Sequence, residues 1–179
     1  IVVDPTLSTL EENTASAYFG SVVTIIGDAN NDGYDDVVVA APYMSNGQMK
    51  EGKVYLYAGS STGAATTASW TAESNQVSGR LGSAIASGDF NNDGYVDLAI
   101  GAHVYDNGQT DEGRVFVYMG SSTGLATTAG WTAESNQASA YFGYSVAVGD
   151  INNDGYDDLV TSAYAYDNGQ TNEGQAYVY

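Results

Sequence analysis

"GDFNNDGYVDLAIGA" runs from Gly88 to Ala102, and near copies lie on either side of it. Asp28 opens "DANNDGYDD" and Asp150 opens "DINNDGYDD", so Asp-x-Asn-x-Asp-Gly-Tyr-x-Asp is written three times, 61 residues apart. Trp70 and Trp131 keep the same period, as do Glu51, Glu112 and Glu173. "SSTGAATTASWTAESNQ" from Ser60 returns as "SSTGLATTAGWTAESNQ" from Ser121. A fixed period of this length marks a repeat architecture. Three units, approximately 1–57, 58–118 and 119–179, account for the 179 residues. Gly20 precedes Asp28 by eight residues, whereas Gly82 and Gly143 precede their aspartates by seven. The extra residue in "SVVTIIG" predicts a β-bulge.

Each unit holds short apolar runs separated by Gly, Asn and Asp, with no helical periodicity. The second unit reads as four strands: 82–88, 96–102, 113–120, and a weaker one around Trp131. Runs such as "VFVY" and "VVVAA" are apolar on both faces, so each sheet must be covered on both sides. The first strand of the second unit is built of small residues, Ser83, Ala84, Ala86, Ser87 and Gly88, which suit a crowded zone where strands converge. The expected fold is all-β: a β-propeller of four-stranded antiparallel blades, three of them in this chain. A flat linear solenoid is the competing geometry.

Charge narrows the function. Twenty-two acidic residues face four Lys or Arg, for a formal net charge of −18. Nucleic-acid affinity comes largely from basic groups, so that class is excluded, and an anionic membrane would repel the chain. No apolar run approaches 18 residues, so no membrane insertion is expected. Without Cys there is no disulfide or zinc-thiolate framework. The chain starts at Ile1 with neither initiator Met nor signal peptide, and a processed form or part of a longer parent chain is expected.

The repeated loop has the chemistry of a Ca²⁺ site. Ca²⁺ takes six to eight oxygens, which short loops supply from alternate positions. Those positions are Asp89, Asn91, Asp93, the carbonyl of Tyr95, and Asp97. The copies are Asp28, Asn30, Asp32, Tyr34 and Asp36, then Asp150, Asn152, Asp154, Tyr156 and Asp158. Gly94 provides the sharp turn. Asp35 and Asp157 align with Val96 and are not read as ligands. An EF-hand fails, because its bidentate Glu would fall on Val39, Ile100 or Thr161. A metal-free Asx turn would not need three mutually repelling carboxylates in nine residues.

The unit resembles the FG-GAP repeat of integrin α-subunit propellers and of many bacterial extracellular proteins. Its "FG" element is Phe19-Gly20, Leu81-Gly82 and Phe142-Gly143. Its "GAP" element is degenerate: Ala40-Ala41-Pro42, Gly101-Ala102-His103 and Ser162-Ala163-Tyr164. The resemblance implies blades in a ring, Ca²⁺ in the loop between the first two strands of each blade, an extracellular or cell-surface location, and partner binding on the opposite face.

On that face the sequence places "YDNGQTDEG" (105–113), "YDNGQTNEG" (166–174) and "AESNQ" (72–76 and 133–137), a candidate surface for protein or glycan. Tyr43, Tyr105 and Tyr166 are read as opening the loops between second and third strands. His103, the single histidine, is read as incidental, since Pro42 and Tyr164 occupy its equivalent positions. Trp70 and Trp131 are read as packing between blades, and Arg80 as pairing with a carboxylate. No asymmetric catalytic constellation is visible, so no enzyme is expected. The function expected is a Ca²⁺-stabilised module for adhesion, assembly or ligand binding, with a repeated-site lectin as the alternative. "GQAYVY" at the end reads as a third strand without a fourth, so two chains completing a six-bladed ring are expected, or further blades from a longer parent chain.

Overall fold

The computed structural model describes residues 8–179; residues 1–7, the start of the segment expected to pair with another copy, lie outside the described residues. The described residues form eleven strands in three antiparallel sheets, with no helix. The first sheet is β1 (Val22–Ile25), β2 (Val37–Ala41), β3 (Lys53–Tyr57) and β4 (Trp70–Glu73) in spatial order. The second is β5 (Ala84–Gly88), β6 (Asp97–Ala102), β7 (Arg114–Tyr118) and β8 (Trp131–Glu134). The third has three strands, β9 (Phe142–Gly149), β10 (Asp158–Ala163) and β11 (Gln175–Val178).

Each sheet is a meander because its connections are short hairpin loops, which join only antiparallel neighbours. The doubly apolar runs became the inner pair of each four-stranded sheet. Four of the five residues of β2 and of β3, and all six of β6, are buried. One core, with Val38, Val54, Leu81 and Leu98, lies between the first and second sheets. A second, with Val115, Phe142 and Leu159, lies between the second and third. The strands β1, β5 and β9 lie beside one another, whereas β4 and β8 make no comparable contact, so the sheets fan apart from a common inner side.

The extra residue of the first unit sits at the end of β1. The carbonyl of Asp36 accepts the N–H of Ile26, while the N–H of Asp36 donates to the carbonyl of Gly27. Two residues thus oppose one, and Gly27 takes φ +79° to allow it. The bulge turns Ile26 into the core between the first two sheets.

Successive sheets are hooked together through the main chain. The N–H groups of Ser78, Arg80 and Leu81 donate to the carbonyls of Met49, Lys50 and Glu51. One unit later, Ser139, Tyr141 and Phe142 donate to Thr110, Asp111 and Glu112. Ser78 and Arg80, like Ser139 and Tyr141, adopt positive φ to aim these donors backwards. Trp70 is buried between blades as expected: its ring meets Tyr118 edge-on at 5.1 Å, and its Nε1–H donates to the Ala126 carbonyl at 2.9 Å.

Tyr43, Tyr105 and Tyr166 each open the loop between second and third strands as read, although Met44 is the residue in register with the other two: each N–H donates to the carbonyl three residues back, from Ala41, Ala102 and Ala163. One expectation needs correction. Arg80 forms no carboxylate pair among the described residues; its guanidinium lies 4.8 Å from the Tyr43 ring centre.

The "FG" glycine tests whether sheet stacking carries stability. A Cβ on Gly82 (φ +94°) would lie 2.7 Å from Ala40 Cβ and 2.9 Å from Val54 Cγ2, whereas one on Gly20 (φ +86°) would meet nothing within 4 Å. Gly20→Ala should cost about 1–2 kcal/mol, the left-handed backbone term alone. Gly82→Ala should cost about 1–3 kcal/mol more, from overpacking. Urea melts of the two variants check this, and equal losses would contradict it.

Candidate metal centre

Each acidic loop joins the first two strands of its sheet and closes on its own carboxylates. Asp28 accepts the N–H of Asp32 at 2.9 Å and of Gly33 at 2.7 Å, one on each oxygen. Asp89 does the same with Asp93 and Gly94, and Asp150 with Asp154 and Gly155. The middle aspartate then takes the next N–H: Asp32 from Tyr34, Asp93 from Tyr95, Asp154 from Tyr156. Asn31, Asn92 and Asn153 hold φ near +60°, a conformation Asn tolerates, and so bend the chain around the same point.

The last aspartate has a different setting. Asp36 is fully buried; its Oδ2 accepts the Ala29 N–H at 3.0 Å and its Oδ1 the Gly59 N–H at 2.8 Å. Asp97 repeats this with Phe90 at 3.0 Å and Gly120 at 2.6 Å. Each therefore ties the acidic loop to the loop between the third and fourth strands. Asp158 holds Ile151 at 2.8 Å. Burial pushes the carboxyls of Asp36 and Asp97 above the usual range; the N–H donors oppose it, and the loop's other two aspartates add to it. For Asp28, burial also raises, but N–H bonds from Gly33, Asp32, Asn31 and Asn30 outweigh it and the carboxyl sits below the usual range.

The donor set suits a hard cation: every position offers oxygen. The Asn30 side-chain oxygen is buried with no hydrogen-bond partner, an acceptor at a position assigned to a ligand. The carbonyls of Tyr34, Tyr95 and Tyr156 accept no main-chain hydrogen bond among the described residues. Asn91 and Asn152 instead accept the N–H of Asp93 and Asp154. Among the described residues no three acidic or histidine side chains converge on one point. The carboxylates are turned onto N–H groups, and each oxygen so used retains a second lone pair.

One functional contact escaped the sequence reading. Asp157, set aside as a non-ligand, accepts the N–H of Asp89 at 2.8 Å, and its own N–H donates to the Asp89 carbonyl at 3.0 Å. It binds the third sheet to the acidic loop of the second. Its counterpart Val96 packs beside Gly27, and Asp35 is exposed.

At the opposite end, the polar loop residues serve the fold. Gln76 and Asp106 exchange two hydrogen bonds of 2.7 Å across sheets, and Gln137 and Asp167 repeat the clamp. Glu51 and Glu112 are buried and cap the turns at Asn46, Gln48, Asn107 and Gln109. Tyr141, Tyr144 and Tyr164 cluster at this end, Tyr164 stacked on Tyr141 at 5.2 Å, with His103 at the edge of the group. Burial, with Arg80 nearby, lowers the pKa of His103.

The FG-GAP repeat family matches residues 19–57, 81–118 and 142–179, and the chain belongs to that family. Rat phosphatidylinositol-glycan-specific phospholipase D is 38% identical over 146 residues, covering 76% of this chain and 17% of the relative. Mouse integrin alpha-IIb is 35% identical over 167 residues, covering 88% and 16%. Chicken integrin alpha-8 is 33% identical over 177 residues, covering 92% and 16%. The chain thus spans about a sixth of the length of these relatives.

Asp157 and Asp35 form a matched pair for testing. Asp157→Ala should cost about 1.5–3 kcal/mol, because it strips a charged acceptor from the Asp89 N–H. Asp35→Ala should stay within about 0.5 kcal/mol of wild type. Denaturant melts in chelator separate them, and a neutral Asp157→Ala would contradict the contact.

Proposed function

We propose that this chain is a non-enzymatic Ca²⁺-binding β-propeller module for extracellular adhesion, assembly or ligand binding. The observation that carries the reading is the acidic loop itself, repeated three times in register, with an unpartnered buried oxygen on Asn30. The fan of sheets from a common inner side supports a radial rather than a flat arrangement. Family membership and the integrin relatives support an extracellular setting.

In this reading Asp28, Asn30, Asp32, the Tyr34 carbonyl and Asp36 hold one Ca²⁺. Asp89, Asn91, Asp93, Tyr95 and Asp97 hold a second, and Asp150, Asn152, Asp154, Tyr156 and Asp158 a third. The ion supplies positive charge to a cluster of like charges and takes oxygens on their remaining lone pairs. Three ions would bring the formal charge from −18 to −12. The residues do the rest: Asp36 and Asp97 set the loop against its neighbour, and the N–H bonds to Asp28, Asp89 and Asp150 shape it beforehand. Every conspicuous carboxylate is repeated, whereas catalysis normally needs one asymmetric constellation. The phospholipase activity named for one relative is not carried to this chain, which covers 17% of that protein.

A lectin is the second reading, favoured by the half-exposed tyrosines Tyr144 and Tyr164 at the end away from the acidic loops. Aromatic faces of this kind suit the apolar face of a sugar ring. A glycan array probed with the Ca²⁺-loaded protein tests it: binding that is lost in Tyr164→Ala supports the lectin, and a blank array opposes it.

The metal reading is tested by melting. A ligand that binds only the folded form stabilises by about 2.7 kcal/mol per site at a hundredfold excess over Kd. Excess chelator should lower Tm clearly, and millimolar Ca²⁺ should restore it. Asp93→Ala should shrink that Ca²⁺ response while changing the chelator melt little. An unchanged melt after metal analysis confirms removal would refute the proposal.

A further inference from the structure

The two junctions between sheets treat the acidic loops differently. At the second junction the Asp157 carboxylate accepts the Asp89 N–H at 2.8 Å, and the Asp89 carbonyl accepts the Asp157 N–H at 3.0 Å. Asp89 is the first candidate ligand of its loop, and Asp157 stands between two candidate ligands of the next, Tyr156 and Asp158. The same two loops meet again at their turns. A Cβ on Gly155, between Asp154 and Tyr156, would lie 3.2 Å from Nδ2 of Asn92, which stands between Asn91 and Asp93. Gly88 permits the approach: a Cβ there would clash with Val148 and lie 2.6 Å from Asp157 Oδ2.

None of this recurs one unit earlier. Val96 takes the place of Asp157 and has no carboxylate to offer. Among the described residues Asp28 and Val96 exchange no main-chain hydrogen bond. The contact there is apolar and looser, with a Cβ on Gly27 reaching only to 3.5 Å from Val96 Cγ2. A Cβ on Gly94, the counterpart of Gly155, would meet nothing within 4 Å, so the turns of the first two loops stand apart. The inner strands follow the same pattern, since β5 runs along β9 more fully than along β1.

We propose that Asp157 is a positioning residue that couples Ca²⁺ binding in the second and third loops, while the first loop binds independently. This rests on the metal reading above and goes beyond it, because three equal and separate sites would satisfy that reading. The physical link is short. Holding the Tyr156 carbonyl and the Asp158 carboxylate on an ion fixes the backbone of Asp157 between them. Asp157 in turn holds both main-chain groups of Asp89, whose carboxylate oxygens already accept the N–H groups of Asp93 and Gly94. The second loop then has less conformational freedom to lose on binding its own ion, which is positive coupling without a large movement. Coupling of binding is reciprocal, so a filled second loop favours the third equally. Charge works the other way, because one bound ion weakens the pull of the acidic pair on the next. The loops are exposed, and physiological salt screens that term while leaving the hydrogen-bonded contact in place.

The turn glycines report the loops one by one: the N–H groups of Gly33, Gly94 and Gly155 each donate to the first aspartate of their own loop. Titrating the chelator-stripped, isotope-labelled chain with Ca²⁺ in amide NMR spectra gives a midpoint for each glycine. The double variant Asp150→Asn with Asp154→Asn disables the third loop. It should raise the Gly94 midpoint about fivefold or more, the low end of usual couplings, and leave the Gly33 midpoint unchanged. Asp157→Val copies the first junction and keeps every candidate ligand side chain. In that background the double variant should move the Gly94 midpoint no further, whereas Asp157→Asn, which keeps an acceptor oxygen, should preserve the dependence. The double variant in the wild-type background is decisive alone if Asp157→Val does not fold. A Gly94 midpoint unmoved by the double variant, a Gly33 midpoint moved equally, or a dependence that survives Asp157→Val would each overturn the proposal and leave the Ca²⁺ reading standing. Three glycine signals that ignore Ca²⁺ would sink both.

Discussion

A carboxylate sealed from water fixes the top of each complete sheet. Asp36 and Asp97 each gather two main-chain N–H groups, one from their own acidic loop and one from the loop between the third and fourth strands. The cost is electrostatic, because burial and two neighbouring aspartates both disfavour the charge. A charged acceptor buried beside like charges is stable only if donors or a cation compensate it. The donors are present, and a cation would add to them.

The acidic loops and the sheet stacking are coupled rather than separate. Asp157 reaches from the third sheet into the loop of the second, and Gln76 and Gln137 clamp the far end. Between these two levels run the main-chain hooks from Ser78 to Leu81 and from Ser139 to Phe142. The second and third sheets are therefore hydrogen-bonded at all three of these heights, and the first and second at two of them. In such a repeat array stability is roughly a sum of unit and interface terms. A cation that stiffens one loop would thus be felt in the adjoining sheet.

The period, the strands and the bulge were legible because they are local: apolar runs, turn residues and a single count of Gly to Asp. The bulge shows this well, since one extra residue before Asp28 required it and Gly27 accommodates it. What the sequence hid was cross-sheet. Asp157 looked dispensable because Val96 replaces it, but its partner lies on another sheet, at Asp89. Arg80 was read by charge and instead found the Tyr43 ring. Tyr43 opens its loop as read, but register pairs Met44 with Tyr105 and Tyr166. The double duty of Asp36, prospective ligand and buried latch, needed the position of Gly59, which no spacing reveals.

Counting the ions tests the central claim most directly. Isothermal titration of chelator-stripped protein with Ca²⁺ should give three sites per chain, and two after Asp89→Asn is combined with Asp93→Asn. Fewer than three in the wild-type chain, or a count unmoved by the double substitution, would contradict an account in which each acidic loop holds its own ion.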